Sequence, residues 1–252
     1  MKNLIIKLSP FLVVVALVLL WQSACDAHLV ESYMLPSPTQ ILAKLIDKHE
    51  AIFSATCITI EEAVFGLLAG IIFGFLVAVL LDRFEIAKAT LLPILNATQT
   101  VPVIAIAPLI VLFLGFGILP KIVLVAVMTF FPVAIACIGG FAFAPKETLE
   151  MAESCGASWF KTFLCVKVPW CAKTFFDACK ISVTYAFSGA VIAEWLGGDV
   201  GLGVLMTRAR KSFDMSYLFA CVVVVVFITL ICVEALKIIE RNTIRWRKFD
   251  EN

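Results

Sequence analysis

Three carboxylates spaced by three residues, Glu147, Glu150 and Glu153, share one face of a polar interlude running from Pro145 to Pro169 between two long apolar stretches. Acids in the first turns of a helix are favoured by its dipole, and Leu149, Ala152 and Gly156 make a second, smooth face beside them. Such a surface can dock against another protein, but it holds nothing that transfers a group. The rest of the chain is no richer in chemistry. His28 and His49 are the only histidines, and no serine or cysteine is arranged for them to activate. The nine cysteines show no Cys-x-x-Cys and no Cys/His ligand spacing, so no metal site and no bound cofactor are expected. Reduced, structural thiols are the expected state, with a Cys25–Cys57 bridge left open. No Gly-Lys dipeptide occurs, which removes the phosphate loop of an ATPase, and the glycine-rich stretch Gly197–Gly203 has no strand before it to make a nucleotide cradle. The expectation is a protein without a catalytic site of its own.

The elements that hold this interlude are membrane spans. Of 252 residues, 62% are hydrophobic and 15% charged, and the mean hydropathy is +1.04. A helix needs about 20 apolar residues to cross the hydrocarbon core. Six stretches qualify: 5–25, 58–81, 91–113, 121–143, 177–196 and 217–238. The expected fold is an all-α integral membrane protein of about six transmembrane helices with a cytosolic helix pair. Residues 1–54 hold the first span and an amphipathic segment, 55–240 the main transmembrane domain, and 241–252 a basic tail. With the N-terminus inside, fourteen of the twenty Lys and Arg residues fall on inner segments, so both termini are expected in the cytosol. The cluster Arg208, Arg210 and Lys211 runs against that rule. The net charge of +1, without a basic block, gives no footprint for nucleic acid. A lipoprotein-type leader ending at Cys25 is conceivable, but Gln22 stands where leucine is usual and five spans follow; an uncleaved first helix is expected.

Several spans carry marks of their own. Thr39, after Pro36 and Pro38, is expected to cap an amphipathic run on the membrane surface. Gly66, Gly70 and Gly74 form a small-residue ridge for close helix packing, with Glu61 and Glu62 expected to be solvated at its outer mouth. Pro93, Pro102 and Pro108 break the third span, where Asn96, Thr98, Gln99 and Thr100 supply polar groups. A polar, broken helix must face protein or water. Pathway lining and helix–helix hydrogen bonding both fit it, and Thr184, Tyr185 and Ser188 of the fifth span fit the same two roles. Glu194, beside Gly197 and Gly198, either braces an outer gate or meets the arriving solute, or else bonds amides of the Gly197–Gly203 loop, the last being preferred. In the interlude, Gly156 permits a bend, Ser158 caps a second helix carrying Phe160 and Phe163, and Pro169 is expected to end it.

Glu150–Met151–Ala152, three residues, Gly156, nine residues, then Val166–Lys167–Val168–Pro169 resembles the EAA motif of permease subunits in binding-protein-dependent ABC importers. That motif runs Glu-Ala-Ala, three residues, Gly, nine residues, Ile, one residue, Leu-Pro. Met151, Val166 and Val168 depart from it and keep its apolar character. The resemblance covers roughly residues 55–240. It implies that Glu150, Ala152, Gly156 and Pro169 belong to coupling helices seated in a cytosolic ABC ATPase, which uses the ATP. It also implies an extracytoplasmic solute-binding protein, a second permease copy in a homodimer, and a bacterial cytoplasmic membrane around them.

Leu35–Pro36–Ser37–Pro38–Thr39, Val101–Pro102, Ala107–Pro108–Leu109 and Gly115–Phe116–Gly117 resemble the sulfonate, nitrate and taurine permeases. Lys180–Tyr185, Gly189–Gly198 and Gly201–Leu202–Gly203 are similar to the branch that carries thiamine pyrimidine precursors of the hydroxymethylpyrimidine type. Sulfonate, taurine, nitrate or riboflavin transport is the alternative within the family. An ion-driven secondary transporter is the alternative outside it, and would need paired acids in mid-membrane.

Overall fold

The structure is a computed structural model describing residues 2–31 and 33–244, with side chains from Leu12 onward. Lys2, Lys7 and residues 245–252 of the basic tail therefore lie outside the described side chains. Backbone groups in hydrocarbon must be satisfied within their own segment, which helices achieve. Every regular element among the described residues is helical: α1 (Lys2–Asp26), α2 (Pro38–Asp47), α3 (His49–Arg83), α4 (Glu85–Thr98), α5 (Val103–Leu114), α6 (Ile118–Ala142), α7 (Lys146–Ser154), α8 (Trp159–Thr162), α9 (Val168–Gly197), α10 (Leu202–Lys211) and α11 (Met215–Thr243). A π-helical turn, Phe163–Lys167, joins α8 to α9.

Among the described residues α3, α6, α11 and the continuous run Trp159–Gly197 are long and apolar enough to cross a membrane. The pair α4–α5 makes a fifth span if counted as one, bent by 99°. The first expected span is α1, whose described apolar part is Leu12–Asp26. The bend falls on Gln99–Pro102, where Pro102 has no N–H to extend the helix and its ring disfavours helical backbone at Val101. All nine cysteines are free thiols.

The helices fall into two compact units, Met1–Ile58 with Val200–Val226 and Thr59–Asp199 with Phe227–Asn252. In the first, α2 is capped by Ser37 rather than Thr39. The Ser37 hydroxyl accepts from the Gln40 N–H and the Gln40 side chain accepts from the Ser37 N–H. Pro38 then occupies the first turn, where a missing N–H costs nothing. Lys44 of α2 pairs with Asp214 at 2.8 Å, and that hydrogen bond holds the lysine pKa above its ordinary value.

The second unit is organised around α6. The ridge Gly66, Gly70 and Gly74 of α3 lies against Val125, Thr129 and Phe130 so closely that none of the three glycines has room for a Cβ. On another side, Gly140 and Gly189 of α6 and α9 admit Cys171 and Met128 in the same way. Thr129 and Ser182, both fully buried, tie these contacts together: the Ser182 hydroxyl donates to the Thr129 carbonyl at 3.2 Å. Lipid offers no hydrophobic drive between helices, so contact area and such hydrogen bonds hold the bundle. Gly70→Val is expected to cut the yield of monodisperse, solubilised protein severalfold, since its side chain meets Thr129 and the Ala126 carbonyl. Gly139→Ala, which opens onto free space, is the control and is expected to be neutral.

Candidate coupling and pathway sites

The interlude folds as expected for most of its length. Pro145 sits at the N-cap of α7, and Glu147, Glu150 and Glu153 are exposed along it. At its end the Gly156 N–H donates to the Glu153 carbonyl at 2.8 Å and the Ala157 N–H to the Ala152 carbonyl at 3.0 Å. This glycine cap requires a left-handed residue, and Gly156 has φ +74. Ser158 caps α8, its hydroxyl accepting from the Lys161 N–H. The result is two short helices joined by a sharp turn, with Glu150, Met151, Gly156 and Phe160 exposed and Ala152 half-buried.

Pro169 does not end the second helix. The turn Phe163–Lys167 shifts the hydrogen-bond register, the Val168 N–H bonding back to the Phe163 carbonyl. Pro169 then falls in the first turn of α9, where its lack of a donor is harmless. The interlude is thus continuous with a span of the bundle. Phe163 is buried there in a core with Leu81, Cys137, Phe141 and Cys171, and Val166 is buried as well.

The polar residues of the broken span stay at the surface of the chain. Asn96, Thr98, Gln99 and Thr100 are all exposed. The Thr98 and Thr100 hydroxyls turn back to the Ile94 and Ala97 carbonyls at 2.9 and 2.7 Å. On α9, Thr184, Tyr185 and Ser188 share an exposed face, while Ser182, Val183, Ala186, Phe187 and Ala190 on the other side are buried. The Ser188 hydroxyl donates to the Thr184 carbonyl.

A cluster that the sequence did not disclose lies at the far end of the same unit from α7. Glu62 is not solvated. Its side chain is 1% exposed and pairs at 2.6 Å with Lys121, itself 7% exposed. Lys121 stands in the first turn of α6, where a cation opposes the helix dipole, so Glu62 compensates both a charge and a poor location. Glu194, also buried, accepts a 2.6 Å hydrogen bond from the Thr59 hydroxyl of α3. A small cavity of about 10 Å³, room for about one water, lies beside Lys121 between Ala107, Val111, Ala193 and Gly197. Glu61, one residue away from Glu62, is exposed. Glu62 stands four residues before Gly66, in phase with the glycine ridge, and that spacing is the signal that was present; the position of the cation 59 residues on was not.

Residues 70–245 match the family model of the inner membrane component of binding-protein-dependent transport systems. The chain belongs to that family and is a permease subunit of an ABC importer, a multi-pass protein of the inner membrane. It is 36% identical to a probable ABC transporter permease of Haemophilus influenzae, over 88% of this chain and 91% of that one. It is 31% identical to the formylaminopyrimidine transport permease ThiX of Halalkalibacterium halodurans, over 98% and 99%. Its fold is similar to a chain of the inward-facing MetNI methionine ABC transporter, with TM-score 0.59 at 19% identity over 78% of this chain and 94% of that one. Membership of this family leaves no place for the ion-driven alternative.

Proposed function

We propose that two copies of this chain enclose a path for a thiamine pyrimidine precursor, of the formylaminopyrimidine or hydroxymethylpyrimidine type. The observation that carries the substrate is the 31% identity with a formylaminopyrimidine permease across nearly the whole of both chains. A solute-binding protein delivers the ligand from outside, and a cytosolic ATPase supplies the work. The α7–α8 pair docks on that ATPase through Glu150, Ala152 and Gly156, with Pro169 carrying the segment into the bundle. An exposed acidic face beside exposed Met151 and Phe160 supports a protein partner there. The excess of Lys and Arg on the segments that join this end supports cytosolic termini.

Asn96, Thr98, Gln99, Thr100, Thr184, Tyr185 and Ser188 line the path, their exposure on a single chain being what a shared path between two copies calls for. Glu194, with Gly197 and Gly198 after it, holds the outer end of α9, and its Thr59 bond to α3 supports a bracing role. The inward- and outward-open forms are two populations biased by ATP and by the loaded binding protein.

The test is ATP hydrolysis by the permease coexpressed with its ATPase and binding protein and reconstituted in lipid. Formylaminopyrimidine and hydroxymethylpyrimidine are titrated against taurine, nitrate and riboflavin. Stimulation by a pyrimidine is the expected result. Stimulation by another solute overturns the substrate and keeps the mechanism, and a permease that retains no ATPase sinks the docking assignment.

A further inference from the structure

We propose that Asp82 and Arg83, the last two residues of α3, are positioning residues that grip the coupling segment, so that its displacement by the ATPase moves α3 and α6 together. The proposal rests on the importer reading above and names the parts that would transmit the motion.

The grip has two independent contacts. Lys167, in the π-helical turn, donates to both carboxylate oxygens of Asp82, at 2.8 and 2.9 Å, with the two side chains only 19% and 9% exposed. One residue on, the Arg83 guanidinium lies 5.0 Å from the ring centroid of Trp159, the first residue of α8. The two-oxygen ion pair fixes the distance between the segments, and the guanidinium lying against the Trp159 ring adds a second point of attachment. They seize the segment at both ends of the short α8 and its π turn, eight residues apart in sequence. π turns inside helices recur at functional sites, and this one lies between the docking pair and the span it feeds.

Behind the polar contacts runs a chain of rings. Trp159 stacks on Phe163 at 5.3 Å and 14°, Phe163 meets Phe141 of α6 at 5.1 Å, and Phe141 meets Phe75 of α3 at 6.0 Å. The coupling segment therefore touches α3 directly at its end and again through α6. The glycine ridge leaves α3 no Cβ-sized gap against α6, so a push received at Asp82 is passed to both helices rather than absorbed between them. Close-packed interfaces switch between arrangements instead of deforming continuously. None of this depends on the residues that would face the ATPase; Asp82 and Arg83 act through Lys167 and Trp159.

The test compares wild type with Asp82→Lys, Lys167→Asp and the double exchange, each in the complete transporter with ATPase and binding protein in lipid. In each single variant the ATPase is expected to copurify and hydrolyse ATP at its basal rate. Formylaminopyrimidine taken up per ATP is expected to fall by roughly tenfold, within the usual range of coupling between sites, and the exchange is expected to restore most of it. Unchanged uptake per ATP in the single variants overturns the grip. Loss of the ATPase from both single variants overturns it too, since the pair would then shape the docking surface. Should wild type transport no formylaminopyrimidine, the substrate reading fails alone, and stimulation of hydrolysis by the binding protein replaces uptake as the readout. If the reversals do not insert, Asp82→Asn keeps the shape and is expected to lower the coupling ratio in the same direction. Wild-type coupling in that variant overturns the proposal.

Discussion

Lys121→Met is expected to destabilise the folded bundle by about 3–5 kcal/mol, the usual consequence of stranding one partner of a buried ion pair. Glu62 is 1% exposed, so once the ammonium is gone bulk water does not screen the carboxylate, and the small cavity beside Lys121 has room for about one water. The loss reports the stranded charge and not the worth of the pair. Taking two charges out of water offsets most of their attraction, and replacing both ends with apolar groups of similar volume is often neutral. Lys121→Met combined with Glu62→Leu is therefore expected to recover part of the stability, since Glu194 of the same cluster stays a buried acid. Thermal midpoints and monodisperse yield of the four proteins in a double-mutant cycle give the coupling energy. A Lys121→Met protein as stable as wild type would show that Glu62 finds another way to be neutralised, and the account of this cluster would fall.

That cluster also marks where sequence reasoning stops. Counted along the chain, Lys121 was one more basic residue at the end of a span and Glu62 one of two acids at a helix mouth. Which acid turns inward is set by the face α3 presents to α6, and the glycine ridge fixes that face. Gly66, Gly70 and Gly74 were readable because a spacing of four is a helical property of the sequence itself. A pairing across 59 residues is a property of the packed bundle. The same division holds at the interlude. Gly156 and Ser158 declare their roles locally, through backbone conformation and a capping hydroxyl. Pro169 misled because a proline normally ends a helix, whereas one π turn moves the register and places it where no donor is needed. Thr39 yielded to Ser37 for a similar reason: a proline at the first helical position puts the cap one residue before it. Broken α4–α5 was legible as a break from its prolines and polar groups. Its 99° bend was not, since an angle depends on what the two halves pack against.

At Gly156, substitution is expected to abolish uptake while leaving membrane insertion and yield unchanged. Two effects meet at this position, and the choice of side chain separates them. The residue has φ +74, which L-residues other than Asn and Asp adopt only at about 1–2 kcal/mol. Gly156→Val therefore strains the turn between α7 and α8 and changes the angle at which the pair is offered. Gly156→Asn tolerates the left-handed backbone and keeps that angle. Among the described residues nothing lies within 4 Å of the Cβ position, so the first atom of an asparagine side chain meets no resistance there. If the exposed glycine is a docking contact, the added side chain lies in the interface and both variants lose uptake. Truncation or obstruction at an interface centre costs about 2 kcal/mol or more, roughly thirtyfold in affinity. ATPase copurification is expected to fall with it, and Gly156→Asp, with a charge added at the same contact, to fall furthest. Uptake retained by Gly156→Asn but lost by Gly156→Val would assign the residue to the turn alone. Normal uptake by Gly156→Asp would remove α7 and α8 from the coupling path, because no helix pair seated against an ATPase accommodates a buried charge there without loss.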